Sequence, residues 1–222
     1  MKNYIVRKVL NDSELVKIKQ ILSVCEWVDG LNTGGGSHKI KKNLETFNSE
    51  INEIIMNSMD KDLLFHSFTC PKTSNSCIIS KIDNGGYYRP HRDSPENGNF
   101  STTVFLNDSD EYDGGELILY IDGEEKKFKL NAGEAITYQT GLMHEVSEVT
   151  RGQRIVSVFW TFTRIKDNFM REIYTELLEL NQLIDKMISK PLDNKTMEDF
   201  NNDPTFMCRC LSDKILRKYY DK

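Results

Sequence analysis

The spacing of apolar residues changes twice along the chain and divides it into three parts. After a short apolar run at Tyr4-Ile5-Val6, the stretch Asn11-Asp12-Ser13-Glu14 reads as a helix start, with acidic side chains in the first turn. Leu15, Ile18, Ile21, Leu22 and Cys25 then recur at helical spacing, and Trp27-Val28-Asp29-Gly30 closes that helix. Asn32-Thr33-Gly34-Gly35-Gly36-Ser37 holds no residue that fixes its shape and reads as a flexible loop. A second helix is predicted over 41–60, with Leu44, Phe47, Ile51, Ile54, Ile55 and Met59 on its buried side.

From Ser76 the period shortens to two. Strands are predicted over 77–82, 100–106, 116–121, 126–130, 135–138, 145–149 and 154–162, with Asp122-Gly123-Glu124-Glu125 as a hairpin turn. The last of these strands is apolar on both faces and should be covered on both sides. No helix interrupts the series, which predicts an antiparallel sandwich or barrel, with the two leading helices on the outside of one sheet. After Asp167 the helical period returns through Ile173, Leu177, Leu180, Ile184 and Met187, until Pro191 ends it. Residues 196–222 read as one or two further short helices. The expected fold class is therefore mainly β with flanking helices (α+β). Residues 1–165 form one domain, helical over 1–70 with its strand core at 76–163, and 166–222 form a C-terminal helical extension.

Composition narrows the function classes. A chain of 222 residues can bury a core of its own. A net charge of −5 disfavours a broad nucleic-acid surface, and the basic cluster Lys39, Lys41 and Lys42 reads as a solvated loop. No stretch approaches the roughly 20 apolar residues of a membrane span, and the N-terminus lacks an apolar signal core. A cytoplasmic protein is expected, with its five cysteines as free thiols. Cys208-x-Cys210 has no second pair to complete a zinc site.

Four residues carry candidate chemistry. His91 and Asp93 lie two apart after Gly85-Gly86, in a predicted loop that follows the strand over 77–82 and frees them to converge; on an extended segment both point the same way. His144 lies near a later strand start, and Arg154 opens the last strand. Non-haem iron(II) oxygenases hold their metal with two histidines and one carboxylate on one face, leaving positions open for a 2-oxo acid and dioxygen. An arginine deep in the pocket then suits the far carboxylate of such an acid, because its planar fork pairs with both oxygens. Singly, each residue is more often a solvated loop or strand-edge group. It is their order, spacing and strand context together that make the signal.

The motifs around these residues resemble the iron(II)/2-oxoglutarate dioxygenases related to prolyl 4-hydroxylases. Ile82-x-x-Gly85-x-x-Tyr88-x-x-His91-x-Asp93 follows the family's Tyr-x-x-Gly-x-x-Tyr-x-x-His-x-Asp pattern, and Phe105-Leu106-Asn107 and Tyr112-Asp113-Gly114-Gly115-Glu116-Leu117 follow in order. Gly133-Glu134-Ala135, His144-Glu145-Val146, Thr150-Arg151-Gly152-x-Arg154 and Phe159-Trp160 complete the match. Glu26-Trp27-Val28-Asp29-Gly30, Thr33-Gly34 and the length of the helical tail are similar to bacterial PKHD-type hydroxylases. The resemblance implies a double-stranded β-helix (jelly-roll) core and an iron(II)- and 2-oxoglutarate-dependent hydroxylase of a prolyl residue in a peptide or protein. Succinate and carbon dioxide are the implied by-products, and ascorbate an optional reductant.

The resemblance also implies His91, Asp93 and His144 as iron ligands and so as the catalytic centre. It implies Arg154 as the partner of the 2-oxoglutarate 5-carboxylate, with Arg151 as the competitor. Two family tyrosines are replaced, by Ile82 and Phe105, which leaves Thr103 or Ser101 to supply a hydroxyl. Tyr88 is placed at the pocket rim or in packing, and Trp160 is a wall of the co-substrate pocket or a core residue. The Gly34-Gly35-Gly36 loop and the loop over 94–99 are candidate substrate covers. The intact Asp93 disfavours halogenase chemistry. The remaining alternatives are a same-fold oxygenase acting on a small molecule or nucleic acid, and a jelly-roll that binds without turnover. The expected oligomer is a monomer, or a homodimer through the C-terminal helices.

Overall fold

A computed structural model describes residues 3–33, 36–187 and 203–220. The chain divides into two compact units, one formed by 2–63 with 73–162 and the other by 64–72 with 163–222. The first holds nearly all the strands.

It opens with β1 (Tyr4–Lys8) and α1 (Asp12–Leu22). Asn11 caps α1 in a reciprocal box: its side chain accepts from the Glu14 backbone N–H, and the Glu14 carboxylate accepts from the Asn11 N–H. Two short strands follow, β2 (Val28–Asp29) and, after a 3-10 turn at Gly30–Thr33, β3 (Lys41–Lys42). Next come β4 (Leu44–Thr46) and α2 (Ser49–Asp60). The helix expected from residue 41 thus begins eight residues later. Asn48 stops it from starting earlier, because its side chain accepts from the Glu50 and Ile51 N–H groups and sets the N-terminus there. Ile51, Ile55 and Met59 are buried as expected, whereas Phe47 lies before the helix and is exposed.

The core strands are β6 (Ile78–Asp83), β7 (Tyr87–His91), β8 (Phe100–Phe105), β9 (Asp113–Gly114) and β10 (Leu117–Ile121), with β5 (Pro71–Ser74) preceding them. They continue as β11 (Glu124–Phe128), β12 (Glu134–Gln139), β13 (His144–Val146), β14 (Val149–Arg151) and β15 (Gln153–Thr163). The predicted hairpin turn between β10 and β11 is Asp122-Gly123, both at positive φ (51° and 83°), which matches the right-handed twist of the strands it joins.

The larger sheet orders β1-β12-β8-β15-β6-β4-β2, and the smaller one β11-β10-β13-β7-β3, all in antiparallel pairs. Side chains alternate faces, so register decides what each sheet shows the other. Arg154 pairs with Ile82, Val156 with Ser80 and Phe105, Val158 with Ile78 and Thr103, and Trp160 with Ser101. Those residues share the inner face, and the row ends at Tyr138, opposite Ser101. The outer face is covered by the N-terminal helices. Arg7 on β1 donates to Asp62 just beyond α2 and to Thr137 Oγ1 at 3.0 Å, and Asn52 of α2 accepts from the Cys77 N–H at 2.9 Å. The double-sheet jelly-roll with flanking helices is the architecture expected from the sequence.

The second unit contains α3 (Leu63–Thr69), α4 (Asn168–Met187) and α5 (Pro204–Tyr219). Arg171, 5% exposed, donates to the carbonyls of Phe68 and Ile165 and to Asn168, which fastens α4 to the end of α3. Of the stripe expected on α4, Ile173, Leu177 and Ile184 are half-buried, whereas Leu180 and Met187 are exposed. Pro191 and the segment 196–202 lie outside the described residues. No helix among the described residues is long and apolar enough to cross a membrane.

Gly152 makes the turn into β15 at φ +70°, and a Cβ there would lie 2.3 Å from the Glu111 carbonyl. Gly152→Ala therefore combines a left-handed backbone with a backbone clash. It is expected to cost about 2 kcal/mol, read as a lowered urea midpoint. An unchanged midpoint would show that the turn relaxes freely.

Candidate active site

The cavity lies between the two inner faces and has a volume of about 150 Å³. Its mouth carries the histidines. His144 on β13 is the cross-strand partner of His91 on β7, and their rings lie 4.3 Å apart. Each ring's Nδ1 faces a backbone carbonyl, Arg89 O at 2.8 Å for His91 and Leu142 O at 2.9 Å for His144. A carbonyl only accepts, so Nδ1 carries the proton and the Nε2 lone pair is left free in both rings. Asp93, in the loop after β7, places Oδ1 3.7 Å from His91 Nε2 and Oδ2 3.7 Å from His144 Nε2. One ligand atom from each of the three residues lies within 4.8 Å of the others, so the set could hold a metal ion. Two neutral imidazoles and one carboxylate on one face fit iron(II).

Burial pushes the His91 imidazole down to about 4, and the neighbouring His144 adds to the effect. The ring is thereby kept neutral, the form a metal needs. Tyr88 stacks on it at 3.6 Å and 15°. Burial, and then the charges of Asp93 and Glu45, raise the Tyr88 phenol to about 12, so this hydroxyl stays protonated.

Behind Tyr88 lies a cluster absent from the sequence reading. Lys41 is only 6% exposed, not solvated as expected, and its ammonium donates to Glu45 at 2.5 Å, Gly30 O at 3.0 Å and Thr33 Oγ1 at 3.1 Å. β3 and β4 turn this lysine inward against Tyr88, with its ammonium 5.3 Å from the ring centre. Alternation along the chain could not reveal this, since the strand is two residues long.

The far end of the cavity holds Arg154, 2% exposed. Its guanidinium lies 5.4 Å from the Phe105 ring, and its Nε has no hydrogen-bond partner among the described residues. Burial lowers its pKa, although a guanidinium keeps its proton at neutral pH. A buried cation without a carboxylate partner calls for an anion. Arg151 does not compete. It is exposed on β14 and paired with Asp113 at 2.7 Å.

Thr103 and Tyr138 line the same cavity, both nearly fully buried. Burial holds the Tyr138 phenol well above its ordinary range, so it remains a donor. Tyr138 was missed in the sequence, because only the register of β12 against β8 shows which face it takes. Ile82, where the family pattern carries a tyrosine, packs in the core with Leu117, Val146 and Val156. Trp160 also lines the cavity, and its indole N–H donates to Asp93 Oδ2 at 2.8 Å. Of the two candidate covers, Gly34 and Gly35 lie outside the described residues. The loop over 94–99 is tied down where the Asn99 N–H donates to Thr161 O at 2.8 Å.

A jelly-roll with this triad at its mouth and a buried arginine at its base is the arrangement of an iron(II)- and 2-oxoglutarate-dependent oxygenase. Residues 77–162 match the 2OG-Fe(II) oxygenase superfamily. A PKHD-type hydroxylase of Gluconacetobacter diazotrophicus is 34% identical over 188 residues, covering 78% of this chain and 83% of the relative. A prolyl-4-hydroxylase structure from Pseudomonas putida superposes with a TM-score of 0.59 at 19% identity, over 73% of this chain and 93% of that one. A Trichoplax adhaerens prolyl hydroxylase, solved with a hypoxia inducible factor peptide, gives 0.61 at 15% identity over 77% and 86%. The chain belongs to the PKHD-type hydroxylases, and is an iron(II)/2-oxoglutarate-dependent dioxygenase.

In the metal-stripped protein the depressed His91 pKa couples to stability. Between about 6.5 and 4 the unfolded chain binds a proton that the folded chain refuses. Stability is therefore lost as the pH falls through that window. Urea unfolding at pH 7.5 and 5 should show this loss, and His91→Asn should flatten it. An equal loss in both proteins would place the effect elsewhere.

Proposed function

We propose that the protein hydroxylates a C–H bond of a prolyl residue in a peptide or protein, with release of succinate and carbon dioxide. One observation carries the reading: a His-Asp-His cluster and an unpaired buried arginine share one small cavity. In this reading His91, Asp93 and His144 hold iron(II), and Arg154 binds the 5-carboxylate of 2-oxoglutarate through its planar fork. Bound together, the two supply the oxidising chemistry: one atom of dioxygen enters succinate, the 1-carboxylate leaves as carbon dioxide, and the other atom enters the substrate.

The chain's own residues orient these reactants. Thr103 and Tyr138 offer hydroxyls beside Arg154, in place of the tyrosines that Ile82 and Phe105 replace. Leu117, Val146 and Val156 keep the middle of the cavity apolar and dry, so the charge of Arg154 acts at full strength on the co-substrate. Tyr88 holds the His91 ring against rotation. The substrate class draws its support from the prolyl hydroxylases that share the fold. Ascorbate would act from solution, keeping iron reduced.

Incubation with iron(II), 2-oxoglutarate and a panel of proline-containing peptides should give a peptide one oxygen heavier and an equal amount of succinate. His91→Ala should form neither. Near-normal succinate from that variant would sink the metal assignment. Succinate without any oxidised peptide would redirect the search to small molecules.

A further inference from the structure

The second oxygen of Asp93 is held by groups that ligand chemistry alone does not require. Oδ2 accepts from Ser101 Oγ at 2.8 Å and from Trp160 Nε1 at 2.8 Å. Ser101 and Trp160 face each other across β8 and β15, on the inner face of the larger sheet. The Ser101 hydroxyl also lies 3.1 Å from Thr140 Oγ1. The histidines that complete the cluster come from the smaller sheet. Asp93 therefore takes both of these hydrogen bonds from the larger sheet, which His144 meets through an edge-on ring contact with Tyr138 at 5.2 Å.

Two donors engage Oδ2, and none among the described residues donates to Oδ1. A carboxylate left free could turn and present either oxygen, or both, to a cation. Oδ1 lies 3.7 Å from His91 Nε2 with its lone pairs uncommitted, whereas Oδ2 lies as near to His144 Nε2 but has its lone pairs engaged by the two donors, so Oδ1 is the better donor to a cation. We propose that Trp160 and Ser101 are positioning residues that clamp Asp93 as a one-oxygen ligand. The clamp saves one coordination position that a two-oxygen carboxylate would occupy, and so leaves room for a two-point co-substrate and dioxygen.

The inference rests on the reading of His91, Asp93 and His144 as a metal centre. It also gives Trp160 a role distinct from lining the co-substrate pocket. Hydrogen-bond partners of ligands that hold them in place typically change metal affinity by about 10–100-fold when lost.

The test uses the full chain with Co(II) as the metal alone, followed by calorimetric titration and by the visible absorption of the bound ion. Trp160→Phe and Ser101→Ala should each weaken Co(II) binding at least about tenfold at a stoichiometry of one. The Co(II) spectrum should change in the same variants, as the freed oxygen enters the coordination sphere. Asp93→Ala should recover affinity when formate is added, because the two donors still hold an anion there. Formate should restore less in Asp93→Ala/Trp160→Phe.

Affinity and spectrum unchanged in both single variants would overturn the clamp. So would formate rescue that is indifferent to Trp160. Ser101→Ala removes one oxygen atom and carries the test if the tryptophan variant does not fold. His91→Ala separates the two ideas. If that variant binds Co(II) like the parent, the metal-centre reading itself fails, whatever the clamp variants do.

Discussion

The position of the Asp93 carboxylate between two sheets is the constraint on which the active site depends. The smaller sheet sets the histidines. Antiparallel pairing of β13 with β7 puts His144 opposite His91, and backbone carbonyls fix both tautomers. Asp93 sits beyond the last hydrogen-bonded residue of β7, where the strand no longer dictates direction. Its carboxylate is placed instead by Ser101 and Trp160 of the larger sheet. The His91–Asp93–His144 cluster thus exists only while the two sheets keep their separation and register. A slip of β15 by one residue against β8 would turn Trp160 to the other face and part it from Ser101.

Charge is distributed unevenly along the cavity. Near the mouth the Lys41–Glu45 pair is self-contained, with the ammonium also reaching Gly30 O and Thr33, and the carboxylate accepting from Asn43 at 3.0 Å. A buried pair of this kind contributes shape more than stability. At the base Arg154 has no carboxylate partner among the described residues, which in the proposed reading leaves it free for an anion. The guanidinium is 2% exposed, with Tyr112 and Tyr138 beside it. Aromatic and apolar walls, Phe105 and Val156 among them, keep water from screening it.

The seven predicted core strands, the antiparallel class and the helical tail were legible in the sequence because alternation and helical spacing are local, whereas β7, expected as a loop, and the short strands β2 to β5 have too little alternation to show. His91, Asp93, His144 and Arg154 were legible because the motif series preserves their order. The helix start at Ser49 was not, since the apolar stripe ran on through Leu44 and Phe47, and a single Asn48 cap overrode it. The burial of Lys41 is not legible either, because a lysine beside two others is usually solvated. Only tertiary packing folds a two-residue strand against Tyr88. Tyr138 and the Trp160–Asp93 bond depend on cross-strand register, which a single sequence does not encode in readable form.

A crystal structure of the full chain with Mn(II) and 2-oxoglutarate, grown without oxygen, tests the account most directly. The account predicts one metal held by His91 Nε2, His144 Nε2 and Asp93 Oδ1 alone, with Trp160 still on Oδ2 and the far carboxylate of 2-oxoglutarate on Arg154. A metal bound by both Asp93 oxygens, or a co-substrate whose far carboxylate avoids Arg154, would contradict it.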